Sequence, residues 1–184
     1  MRSIWRISSG RILMRRPRPE DGPFVLDQNF PEPLLRETLA LGLVDLTIVP
    51  LREFAADLTA DVEDWQVILG LAQRGAAGLI TNDPSMLANP KVVAVVEQTK
   101  FSVVACERTG HDPVVATGLL LTQLPHVAKR HYPGRPQIWR LSSREQREKK
   151  IGAIKQEIKN NSGRDVDDFR CDEAELQRRV GDPR

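Results

Sequence analysis

Cysteine is scarce in this 184-residue chain, with only Cys106 and Cys171. Two cysteines that form no CxxC pair exclude a disulfide-stapled scaffold and a zinc ribbon, and they point to a reducing, cytoplasmic setting. Long apolar runs are missing too: none reaches the roughly 18 residues of a membrane span, so no membrane contact is expected. Arginine and proline interrupt residues 1–18, which leaves no continuous apolar stretch of the secretory-signal kind. Neither GxxxxGK[ST] nor a GxGxxG after the first strand is present, which removes the phosphate cradles of ATPases and dehydrogenases. There is no GxSxG elbow. The three histidines, His111, His126 and His131, lack the spacing of metal ligands and are expected at the surface or its boundary. No internal repeat is found.

What is present describes a soluble globular chain, 40% hydrophobic and 28% charged. The formal net charge of +2 hides an asymmetry. Residues 1–23 carry +4 and residues 129–150 carry +6, whereas residues 24–128 carry −7 and residues 151–184 carry −1. An acidic body between basic segments suits a carboxylate-rich site with a polyanionic partner, since the bases recruit phosphate while the acids hold a metal. Charge runs that merely keep a surface wet are the plainer alternative.

The acidic middle alternates short apolar runs with helical patterns, which predicts an α/β fold with a mainly parallel sheet. Phe24-Val25-Leu26 is read as the first strand, and Pro31 and Pro33 open a helix that Gly42 ends. Leu43 to Val49 is a second strand, followed by an ambiguous stretch from Leu51 to Ala60. Thr59 or Asp61 can cap the next helix, which carries Trp65, Ile68, Leu69 and Ala72 and stops at Gly75. Leu79 to Thr81 is a third strand, residues 82–84 a turn, Lys91 to Gln98 a helix and Phe101 to Cys106 a fourth strand. Asp112 and Pro113 begin a helix through Val127. After a turn-rich linker, Gln137 to Leu141 is a last strand and Ser143 to Asn160 a charged helix. Its thin stripe of Ile151, Ile154 and Ile158 either docks on the body or waits for a partner, a second copy of the chain included. From Asn161 onward a flexible or partner-dependent tail is expected.

With nucleotide cradles and nucleophile elbows gone, the remaining chemistry lies in carboxylates at strand ends. Asp27 closes the first strand, Asp64 sits in the first turn of a helix, and Asp83 follows the third strand. In an open parallel sheet the carboxyl ends of strands form the ligand-binding edge, so these acids can converge. Oxygen ligands suit Mg²⁺ or Mn²⁺, and a hydrated ion so held can activate water and stabilise charge on a phosphodiester. Each acid also has a plainer role, Asp64 as a complement to a helix terminus and Asp83 as a turn residue before Pro84.

Taken together, Phe-Val-Leu-Asp27-Gln28-Asn29-Phe-Pro, then Glu63-Asp64-Trp-Gln-Val-Ile-Leu-Gly-Leu-Ala, then Gly78-Leu-Ile-Thr81-Asn82-Asp83 resemble the PIN-like nucleases over about residues 24–130. The resemblance implies a three-layer sandwich and a metal-dependent ribonuclease, most often the VapC-type toxin of a toxin–antitoxin pair, so that RNA and a protein antitoxin are the implied partners. It further implies Asp27 and Asp83 as metal carboxylates, Asp64 as the middle acid, and Asn29 and Thr81 as site-shaping polar groups. The family commonly has a fourth acid after the fourth strand. Glu107 and Asp112 both fall near that place, with Asp112 favoured because it opens a helix, although an ordinary N-cap is its competing role. Glu63 competes with Asp64, and neighbours on a helix point about 100° apart, so only one can face the site. The implied organisation is a basic segment at 1–23, a PIN-like domain at 24–141, and a charged helical extension at 142–184. A phosphatase or DNA nuclease would use the same acids. The rival from another class is a degenerate PIN-like module that binds RNA or a protein without cleaving.

Overall fold

A computed structural model of the chain describes residues 22–28, 30, 46–59, 62–109, 112–143 and 146–180. Its strands are β1 (Phe24–Leu26), β2 (Ile48–Pro50), β3 (Gly78–Thr81), β4 (Ser102–Cys106), β5 (Gln137–Leu141) and β6 (Gln146–Lys149). They form one six-stranded sheet in the order β2-β1-β3-β4-β5-β6. The first five are parallel, and β6 runs antiparallel to β5 with Trp139 opposite Glu148. Strands β1, β3 and β4 are buried along their whole length. That pattern belongs to parallel strands covered on both faces, and it explains why they read as unbroken apolar runs in the sequence.

Among the described residues the helices are α1 (Leu51–Phe54), α2 (Asp64–Gln73), α3 (Pro90–Thr99), α4 (Pro113–Arg130), α5 (Ile151–Ser162) and α6 (Glu173–Gln177). Successive strand residues alternate between two cores. On one face Val25, Leu79, Val103, Ala105 and Ile138 meet α2, α3 and α5. On the other, Phe24, Leu26, Ile80, Val104, Cys106, Trp139 and Leu141 meet Ala116, Leu120, Leu124 and Val127 of α4. The chain therefore steps in the same direction from β3 to β4 and from β4 to β5, yet places α3 and α4 on opposite faces, so the two crossovers have opposite hands. Parallel crossovers are almost always right-handed, and here the face above β5 is taken by α5, whose Ile154 shares a core with Ile138.

Several boundaries differ from the expectation. The helix capped by Thr59 or Asp61 starts instead at Asp64 with Glu63 as N-cap; Thr59 ends a 3₁₀ turn over Ala56–Leu58, and Asp61 lies outside the described residues. The expected helix from Ser143 to Asn160 is two elements, β6 and α5. Its isoleucine seam docks: Ile154 and Ile158 are buried in the first core. The segment after Asn161 also packs there through Val166 and Cys171 instead of forming a loose tail. The cut at 141/142 falls in the hairpin between β5 and β6. The basic segment 1–21, the helix expected from Pro31 to Gly42 and the start of the expected second strand lie outside the described residues.

Candidate metal and phosphate site at the strand ends

Strand order reverses between β1 and β3: the chain moves to β2 on one side of β1 and proceeds through β3, β4 and β5 on the other. The crevice outside the carboxyl ends of such a strand pair is where open α/β sheets bind ligands. Asp27 leaves β1 at this point. Its backbone N–H donates to the Ile80 carbonyl at 2.9 Å, which ties it to β3. The buried Thr81 hydroxyl donates to Asp27 Oδ2 at 2.9 Å and accepts the Asp83 backbone N–H at 3.0 Å. One threonine therefore fixes the side chain of the first acid and the backbone of the other. Asp83 Oδ1 accepts from the Ser85 N–H at 2.9 Å and the Ser85 hydroxyl at 2.5 Å, capping the 3₁₀ turn Pro84–Ala88. Ser85 orients this carboxylate and was not anticipated; the Asp-Pro-Ser spacing of an Asx turn was the available signal.

Asp64 opens α2 and completes the group. Asp64 is exposed at the surface, and its carboxyl is only partly buried. Burial first, then the Asp83 and Asp27 carboxylates, then Glu63, hold it above the ordinary aspartate range. The Glu63 side chain is otherwise engaged: Trp65 Nε1–H donates to its Oε2 at 2.6 Å, while its backbone N–H donates to Gln66 Oε1 at 3.1 Å. Of the two competing acids, Asp64 is the one whose charge is coupled to both strand-end aspartates.

Asp112 is placed as the N-cap of α4, its Oδ1 accepting from the N–H groups of Val114 at 2.8 Å and Val115 at 3.2 Å. Glu107 pairs with Arg140 at 3.3 Å. Neither figures among the charges that act on Asp64. Asn29 and His111 lie outside the described residues. His131 is buried edge-on to Phe24, and His126 stands edge-on to Trp139, so both serve the packing of α4. Among the described residues, no three acidic, histidine or cysteine side chains are grouped so as to hold a metal ion. Carboxylates such as Asp27, Asp64 and Asp83 are hard oxygen donors, the type that Mg²⁺ takes directly or through its waters. No described helix is long and apolar enough to cross a membrane. No protein-family model, curated protein or solved structure matches the chain.

Proposed function

We propose that this chain is a PIN-like, metal-dependent endoribonuclease that hydrolyses RNA phosphodiester bonds, and that it acts as the toxin of a toxin–antitoxin pair restrained by a protein antitoxin. The observation that carries the nuclease reading is the Thr81 hydroxyl joining the Asp27 side chain to the Asp83 backbone at the strand-order reversal, with Asp64 raised in pKa by both acids after burial. Like charges brought together resist ionisation, and perturbed titratable groups concentrate at functional sites. Asp27, Asp64 and Asp83 would hold Mg²⁺ or Mn²⁺ in hydrated form. When bound, the ion supplies charge neutralisation at the phosphodiester and acidifies water. The chain's own residues supply position. Thr81 sets Asp27 and the Asp83 backbone in one register, Ser85 sets the Asp83 carboxylate, and Asp64 brings the third charge from α2. The toxin reading rests on the resemblance in the three motifs.

Incubating the purified protein with mixed single-stranded RNA and DNA, in Mg²⁺, in Mn²⁺ and in chelator, tests this reading. Cleavage of RNA that chelator abolishes is expected. RNA binding without cleavage under every metal condition would favour the degenerate binding module, and cleavage of DNA alone would favour the DNA nuclease.

A further inference from the structure

The strand-end edge carries one more group that the acids do not account for. Thr81 pairs with Ala105 across β3 and β4, so the two strands leave the sheet side by side, one into Asp83 and the other into Glu107 and Arg108. The Glu107 N–H still donates to the Leu141 carbonyl at 2.7 Å, which makes Arg108 the first residue beyond that contact. Its backbone is left-handed, with φ at 59°, a region that glycine enters freely and other residues enter against steric resistance. The other described non-glycine residue there, Lys100, closes α3 as its C-cap, a regular use of that conformation. Arg108 closes no helix. It is exposed, and the carboxylate beside it in sequence, Glu107, is taken by Arg140, which is also held by Glu157 at 3.2 Å. A guanidinium is thus carried on a strained turn at the same edge as three coupled carboxylates, without being drawn into the neighbouring ion-pair network.

We propose that Arg108 is a phosphate-binding residue, receiving the nucleic-acid backbone on the same sheet edge where β4 ends; the inference rests on the ribonuclease reading. An edge carrying Asp27, Asp64 and Asp83 disfavours a polyanion, and a cation elsewhere on that edge offsets the repulsion along the path of the substrate. A guanidinium is the better choice there, since its forked donors match two phosphate oxygens at once. Backbone strain retained at an exposed loop is intelligible when the side chain it aims has work to do.

The test uses the full chain in an Asp27→Asn background, where cleavage does not deplete the probe, and measures binding of a fluorescent mixed-sequence single-stranded RNA across a salt series. Arg108→Gly removes the charge and relieves the left-handed backbone. It should therefore bind RNA roughly tenfold more weakly, with a melting temperature equal to or above the parent. The magnitude of the salt slope should fall by roughly 0.7 for the single phosphate lost. Arg108→Lys should recover most of the slope. Arg108→Gly binding as tightly as the parent, with the same slope, would overturn the proposal while leaving the ribonuclease reading intact. Weaker binding with a lowered melting temperature that lysine does not restore would overturn it in favour of a structural role. A parent that binds no RNA would overturn both.

Discussion

Ionising Asp64 adds a negative charge to a partly enclosed spot that already feels Asp83, Asp27 and Glu63. The folded protein therefore holds the Asp64 proton more tightly than the unfolded chain, whose carboxyl titrates near the ordinary 3.8. The linked stability is fully present below that value and is lost as pH rises through the higher folded value. Asp64→Asn should consequently melt above the parent at neutral pH in chelator, and the advantage should shrink as pH falls toward 3.8. Thermal melts from acid to neutral pH check this, and identical curves at neutral pH would contradict the coupling. Added Mn²⁺ should narrow the difference by stabilising the parent, since a ligand that binds only the folded state raises its stability. Asp27 and Asp83 were legible as strand-end residues because the first directly follows an apolar run and the second comes two residues after another. The choice between Glu63 and Asp64 was not, since it depends on which face of α2 meets β1 and β3. Neither was Thr81's double hydrogen bond, which requires Asp27 and Asp83 to be neighbours across two strands.

At the scale of elements, strands β1, β3, β4 and β5 announced themselves through apolar runs, and helices α3 and α4 through proline at their starts. Strand β6 was hidden. Its Gln-Arg-Glu-Lys has the composition of an exposed helix, and pairing with β5 overrides that propensity. The docking of α5 rests on two isoleucines, so the thin stripe was real but its partner was invisible. Arg140 and Lys149 both reach Glu157 on α5, at 3.2 and 3.4 Å, and add a polar clasp at the same seam. Ile154 is completely buried, and Ile154→Ala should cost about 2–5 kcal/mol of unfolding free energy, as expected for a large-to-small change in a packed core. Chemical denaturation measures this directly. A loss under about 0.5 kcal/mol, the size typical of surface substitutions, would mean that α5 does not pack on the sheet in solution. The opposite hands of the α3 and α4 crossovers had no local signal at all, because handedness is settled by which element occupies each face.

Across the whole molecule, charge and topology point to the same edge. Not all of the +6 of residues 129–150 faces outward: Arg140 is consumed by Glu107 and Glu157, Lys149 by Glu157, and Arg135 reaches Glu148 at 3.7 Å. That use of charge inside the fold shifts attention from the basic segment as a recruiting surface to the strand-end edge itself, where Asp27 and Asp83 share Thr81 and β4 runs out toward Arg108. The most direct measurement of the central claim is Mn²⁺-dependent cleavage of single-stranded RNA by the parent, Asp27→Asn and Asp83→Asn, with melting temperatures recorded for all three. Removing one carboxylate weakens the hold on the ion and the stabilisation of transition-state charge together, so each variant should cleave at least about 100-fold more slowly. Because it also relieves repulsion among the acids, each should melt in chelator no lower than the parent. Parental cleavage rates in either folded variant would contradict the account.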